Sequence, residues 1–352
     1  MSKTRPEIEL FVGKGISQSK CVNIGNDEMC ASEPVLLRDQ TSFNIDKRGK
    51  SSKSKVSPKH TVFVRSGYKV TDKIASTMQG SIYQAVGCNG DIIVVKRAAI
   101  KLYKKRITKV NGKYVRIDED IVKESQIMQY LEGMNPPKNN WCKYIDCFRD
   151  DINIYILMKY GGQCLLDHCN LMHKYIKNGV LSVKHWLNHV QILFKQMCDI
   201  VYWLHNICNV AHTDISLENM VLKNCVFKGG KFIEHGYIQF IDFGLAQHIL
   251  YDKSGNIIKS TKFVGKKGYK SPECYNNIKY NPILNDIWCL GICLFMLNYG
   301  VQPYTMPINN DINYKYLISN KLNNILSQIN KTHYINNKIN KIFKGIFIFE
   351  SK

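Results

Sequence analysis

The segment His212-Thr213-Asp214-Ile215-Ser216-Leu217-Glu218-Asn219, followed later by Asp242-Phe243-Gly244, decides how the rest of the chain is read. Ile238-Gln239-Phe240-Ile241 runs into the second motif as a short apolar strand. Upstream, Val94-Val95-Lys96 ends a β-branched run on a cation, and Glu124 lies on the helix that follows. Downstream come Ser271-Pro272-Glu273 and Asp286-Ile287-Trp288-Cys289-Leu290-Gly291. Any one of these motifs is weak, since a three-residue match arises often by chance. Their fixed order, each in a suitable local context, is strong.

The elements around them fall into two halves. Strand patterns cover Thr61-Val62-Phe63-Val64, Ile92-Ile93-Val94-Val95 and Ile152 to Met158, with Gly67, Gly87, Asn89-Gly90 and Gly161-Gly162 as punctuation. Ile121 to Leu131 reads as a helix, with apolar residues at 121, 127, 128 and 131. The second half is mostly helical. Val190, Leu193, Met197, Ile200, Val201 and Leu204 share one face of a helix from Trp186 to Leu204. Ile283 to Tyr299 is apolar nearly all round, which marks a buried helix. After Pro307 the chain turns Asn-, Ile- and Lys-rich, with weak helical periods.

The chain has 352 residues, 49 Lys+Arg against 28 Asp+Glu, and a net charge of +21. Length allows about two domains, or one bilobed one. A hydrophobic share of 45% is ordinary globular usage, so disorder and disulfide dependence are not expected. The charge implies an anionic partner. No uninterrupted apolar run is long enough for a membrane span, and the N-terminus opens no apolar signal core. A soluble, intracellular and cytoplasmic protein is expected, although export by a non-classical route would leave no sign in the sequence. Thirteen Cys are scattered, without a CxxC pair or a Cys/His block at zinc spacing. Reduced thiols are the plain reading, and a metal site is the alternative.

The order Val-Lys, Glu, His-Thr-Asp…Asn, Asp-Phe-Gly, Ser-Pro-Glu resembles the eukaryotic protein kinase superfamily over residues 61–347. The resemblance implies an α+β, bilobed fold with a β-rich N-lobe over residues 61–160 and a mainly helical C-lobe over 161–352. Residues 1–60 would form a flexible basic tail, Ser-rich over 47–59. By resemblance, Lys96 serves the α/β-phosphates of ATP, and Glu124 fixes that Lys in an ion pair. Asp214 would accept the proton of the incoming hydroxyl. Asn219 and Asp242 are oxygen donors suited to Mg2+ or Mn2+. Ile74, Gly80, Ile82, Val94, Met158, Tyr160 and Val221 would surround the nucleotide, with Met158 as gatekeeper before the hinge Lys159-Tyr160. His212 and Phe243 would pack beneath the site, and Asp286 would hold the catalytic-loop backbone.

Several positions depart from that pattern. Aligning Gly80-Ser81-Ile82-Tyr83 with the end of the glycine-rich loop leaves Ala75 and Thr77 where glycines usually stand. A loop held further from phosphate, or stiffer, is expected. Thr213 replaces the Arg that receives an activation-loop phosphate, and no Arg occurs after Arg149. Activity that does not depend on that switch is expected. Ser216 replaces the catalytic-loop Lys of Ser/Thr kinases, with Lys266-Lys267 as candidates for the missing cation. These departures, with Val94-Val95-Lys96-Arg97, residues 212–219 and residues 265–274, are similar to the FIKK family of apicomplexan kinases. The last C-lobe helices, and an Arg partner for Glu273, are expected to be missing. That would leave a costly buried carboxylate.

Nine Lys/Arg and no acid lie between Lys96 and Arg116, and six Lys and no acid between Lys253 and Lys270. The second run lies in the activation segment, where it would favour acidic protein substrates. Nucleic acid is disfavoured, because no reader motif accompanies the charge. The reading adopted is an ATP- and Mg2+-dependent protein kinase of the Ser/Thr type. The alternative is a pseudokinase acting as a nucleotide-binding or scaffolding module, motivated by the missing glycines, Ser216 and the short C-lobe. A small-molecule kinase is disfavoured by Ser271-Pro272-Glu273 and the 286–291 motif.

Overall fold

A computed structural model of the chain describes residues 38–39, 67–135, 140–329 and 337–347. The Thr61–Val64 strand and, apart from 38–39, the tail over residues 1–60 lie outside these. The first half of the described chain is a six-stranded sheet. It comprises β1 (Arg38–Asp39), β2 (Tyr68–Ser76), β3 (Gly80–Gly87), β4 (Ile92–Ala99), β7 (Tyr144–Arg149) and β8 (Asn153–Lys159), in the order β1-β7-β8-β4-β3-β2. All neighbours are antiparallel except β1 and β7.

Strand alternation sorts β4 into two faces. Ile93 and Val95 join Ala85, Tyr155 and Leu157 in a small core on one face. Val94 and Ala98 belong to the main core on the other, and Lys96 follows their period. Between β4 and the helix α2 (Ile121–Gly133) lies the basic insert: α1 (Ile100–Lys105) and the hairpin β5 (Ile107–Val110) and β6 (Lys113–Arg116). Nearly every residue of that hairpin is exposed, so its cations are solvated. Asp120 caps α2 by accepting from the Val122 and Lys123 amides. Ile121, Ile127, Met128 and Leu131 are buried, as the sequence periodicity requires.

The second half is the helical lobe. It holds β9 (Gln163–Cys164), α3 (Leu165–Lys177), α4 (Val183–Asn206) and β10 (Val210–Ala211), then β11 (Met220–Lys228), β12 (Lys231–Phe240) and β13 (Gln247–His248). The helices α5 (Pro272–Tyr275), α6 (Pro282–Tyr299), α7 (Ile312–Ile318), α8 (Leu322–Gln328) and α9 (Asn337–Phe347) complete it. α6 begins with an Asn281 cap and Pro282, and ends at Gly300 with φ +76°. Among the described residues it alone is long and apolar enough to cross a membrane, yet 78% of it is buried inside the lobe. It is therefore the core helix that the all-round apolar pattern indicates.

α9 docks on α6. A Cβ added to Gly291 would sit 2.6 Å from the Phe347 ring, so the glycine makes room for that side chain. Phe347 is buried and meets Trp288 edge-on at 4.8 Å. Glu273 departs from expectation. It is exposed, and so it carries no buried-charge penalty and needs no Arg. Its neighbour Cys274 takes the buried position on α5. Phe347→Ala should lower stability by about 3–5 kcal/mol, measured by urea denaturation of the full chain.

Candidate active site

The loop after β10 is held by one buried carboxylate. Asp286 on α6 is fully buried and accepts from the His212 and Thr213 amides, each at 2.8 Å. His205 Nε2 lies 2.9 Å from the same carboxylate. These bonds hold Thr213 in the left-handed region, φ +60°, which a β-branched residue rarely adopts. The Thr213 hydroxyl donates to the Leu245 carbonyl at 2.8 Å. A position expected to await a phosphate is thus tied directly to the chain beyond Gly244. His212 and Phe243 pack together, with centroids 4.9 Å apart, as layers of the core.

Asp214 follows, with Asn219 on a single 3-10 turn, Leu217–Asn219. The Asn219 Nδ2 donates to the Asp214 carbonyl at 2.9 Å and to its Oδ2 at 2.7 Å. That commits the amide nitrogen and leaves the amide oxygen as the group Asn219 can offer to a cation. Asp242 has φ +65°, a turn that brings its carboxylate back toward β4.

Lys96 joins three elements. Its Nζ lies 2.7 Å from Glu124 Oε2 on α2 and 2.8 Å from Asp242 Oδ1. Against the desolvation of burial, Asp242 and Glu124 hold the ammonium above its ordinary value. Burial likewise opposes ionisation of Asp242, but Lys96 draws its carboxyl below the usual carboxylate range. Burial pushes the Glu124 carboxyl up while Lys96 opposes that rise, and its second oxygen has no hydrogen-bond partner. The carboxylates and the Asn219 oxygen are hard oxygen donors, which suits Mg2+ rather than a softer metal.

Of the two lysines named as candidates for the cation absent at Ser216, Lys266 reaches Asp214. Lys266 donates its backbone amide to Asp214 Oδ1 and its Nζ to Asp214 Oδ2, both at 3.0 Å. Gly265 permits this approach: its φ is +96°, and an added Cβ would lie 2.7 Å from the Thr213 carbonyl. Lys267, the other candidate, is exposed. Tyr269 fixes the segment by donating to Glu218 Oε2 at 2.7 Å. Further along, Ser260 and Tyr280 exchange backbone hydrogen bonds, and the Tyr280 hydroxyl donates to the Lys262 carbonyl at 2.6 Å.

The remaining expected residues lie on β2, β3, β4, β8 and β11 and just after β8. Val94, Met158 and Val221 share one apolar cluster, with Val94 paired in register to Met158. The Tyr160 carbonyl accepts from Lys223 Nζ at 3.2 Å. Ile82 lies opposite Lys96 in the β3–β4 ladder. Ile74 sits in a bulge of β2 and is half exposed. Gly80 closes a tight turn in which its amide donates to Thr77 Oγ1 at 2.9 Å. An added Cβ at Gly80 would collide with the Arg97 carbonyl.

Two residues here were not singled out in the sequence. Gln79 is buried at the tip of the β2–β3 turn, and its side chain donates to the Glu119 carbonyl at 2.6 Å. Burial raises the Glu119 carboxyl, and nearby Asp242 adds to that rise. Asp118-Glu119-Asp120 presents three acids in a row, and nothing in their order marks the middle one as the inward-facing residue.

Residues 68–349 match the protein kinase domain family. The serine/threonine-protein kinase PRR2 of Saccharomyces cerevisiae is 27% identical over 67% of this chain and 30% of its own length. The testis-specific serine/threonine-protein kinase 2 of Mus musculus is 33% identical over 32% of this chain and 28% of its own. The calcium-dependent protein kinase 6 of Plasmodium berghei is 30% identical over 64% of this chain and 13% of its own. The matched region is thus less than a third of each of these relatives. Lys96→Ala leaves Glu124 buried without its cation, so it should cost about 3–5 kcal/mol in urea unfolding.

Proposed function

We propose, since the chain belongs to the protein kinase domain family, that it transfers the γ-phosphoryl group of ATP to a protein hydroxyl, of the Ser/Thr type. The convergence of Lys96, Glu124 and Asp242 in one ion cluster, beside an Asp214–Asn219 pair, carries this reading. Phosphoryl transfer asks a protein chiefly for positioning and charge neutralisation. Lys96 offers a cation for the α/β-phosphates, held by Glu124. Val94, Met158 and Val221 offer an apolar floor for the base, with Tyr160 at the hinge and Ile74, Gly80 and Ile82 above. Asn219 and Asp242 would hold Mg2+ or Mn2+, which when bound neutralises the phosphate oxygens.

In the step itself, the acceptor oxygen forms a bond to the γ-phosphorus. The bond to the β–γ bridging oxygen breaks, and ADP departs with that electron pair. Asp214 accepts the hydroxyl proton. Lys266 takes the place of the cation that Ser216 cannot supply. It orients the Asp214 carboxylate and stands next to where the transferring group must pass.

Finer features support three further parts of this proposal. The relatives named above are called serine/threonine or calcium-dependent protein kinases, which favours Ser/Thr acceptors. Exposed Lys253, Lys259, Lys262 and Lys267 along the activation segment favour acidic substrate sequences. A FIKK-type placement rests on residues 94–97, 212–219 and 265–274, and none of the relatives named above carries that family's name.

Transfer of labelled phosphate from ATP to a generic protein substrate tests the reading. Asp214→Asn should abolish it. Lys266→Met should lower kcat about 100-fold with little change in the KM for ATP. Equal labelling by wild type and Asp214→Asn would remove the proposed base. Thermal stabilisation by Mg-ATP without any labelling would favour a nucleotide-binding scaffold instead.

A further inference from the structure

Away from the cleft, three histidines and a cysteine from separate elements meet inside the helical lobe. His168 lies on α3, His189 on α4, Cys225 on β11 and His235 on β12. Cys225 and His235 are cross-strand partners in the β11–β12 ladder. His168 Nε2 and His189 Nε2 face one another at 3.1 Å. The Cys225 thiol completes a set whose ligand atoms all lie within 4.8 Å of one another. His168 and His189 are buried, and Cys225 is half-buried.

We propose that His168, His189 and Cys225 form a zinc site. The chemistry of the donors is the first ground. Two imidazole nitrogens and a sulfur suit Zn2+, and no carboxylate in the set favours a harder ion. The spacing is the second. Tetrahedral Zn2+ with bonds of roughly 2.0–2.1 Å to nitrogen sets its nitrogens roughly 3.3 Å apart. The two Nε2 atoms already stand near that separation, and the Cys225 sulfur lies within 4.8 Å of both histidines.

The surrounding shell is the third ground. His189 Nδ1 lies 2.8 Å from His235 Nδ1. With the proton on His189 Nδ1, its Nε2 lone pair is bare and aimed at His168, the arrangement that metal-bound histidines use. Phe232 stacks on the His189 ring at 3.8 Å and 10°, which locks its orientation. Three protein donors leave the fourth position to water. Binding of Zn2+ displaces the thiol proton of Cys225 to solvent and changes no oxidation state. The ion would tie α3 and α4 to β11, the strand that also carries Val221.

The site is tested on the full chain, with readouts that need no phosphoryl transfer. The protein, purified without chelator, should carry one equivalent of zinc by elemental analysis. After stripping, Co2+ should give tetrahedral d–d bands and a thiolate-to-metal charge-transfer band. Cys225→Ser should lose the charge-transfer band, and His235→Ala should weaken zinc binding about 10–100-fold. Zinc should raise the thermal midpoint of the stripped wild type. Wild-type protein that carries no zinc and gives no thiolate band with Co2+ would overturn the proposal. So would a Co2+ spectrum unchanged in Cys225→Ser.

Discussion

A single buried ammonium sets the relation between the sheet and the loops beneath it. Lys96 cannot lie inside the protein without anionic partners, because desolvating an unpaired charge costs several kcal/mol. Its position on β4 is fixed by the strand period, which puts it on the same face as Val94 and Ala98. Glu124 must therefore come to it, and with it the first turn of α2. Asp242 must come as well, which requires the left-handed turn at that residue. Three elements far apart in sequence are thus placed by one requirement for charge balance.

The lower loops depend on a second buried charge of the opposite sign. Asp286 receives two backbone amides and a histidine. It converts the apolar helix α6 into the mount for Asp214. The segment beyond Gly244 is held by neutral pairs, the Thr213 hydroxyl to Leu245 and Ser260 with Tyr280, and by two contacts to carboxylates, Lys266 to Asp214 and Tyr269 to Glu218. Order in that segment is built from hydrogen bonds within the chain, so an added phosphate is not required to create it.

The fold was legible in the sequence from apolar periods and from the order of the motifs. The site residues were singled out by that resemblance, since a lone Lys ending a strand is by itself usually a solvated charge. β4, β8, α2, α4 and α6 were readable because each has a clear apolar period, and their observed bounds differ from the expected ones by only a few residues at the ends. What escaped was decided by tertiary contact. Gln79 looks like an ordinary turn residue until its side chain reaches Glu119. The buried carboxylate expected at Glu273 is instead solvated, because α5 turns Cys274 inward. The histidine–cysteine cluster has no local spacing signature, since α3, α4, β11 and β12 each bring one of its members.

The attachment of Lys266 to Asp214 has a consequence for control. In a loop with its own lysine, the base and its neighbouring cation move as one rigid unit. Here they belong to different segments, joined by two hydrogen bonds across Gly265. Anything that lifts the segment away from the loop strips the cation from the base and removes the surface on which a substrate would rest. The apolar cluster of Val94, Met158 and Val221 takes no part in these two bonds. Under the function proposed above, a ligand that wedges the segment open would silence transfer without competing with ATP.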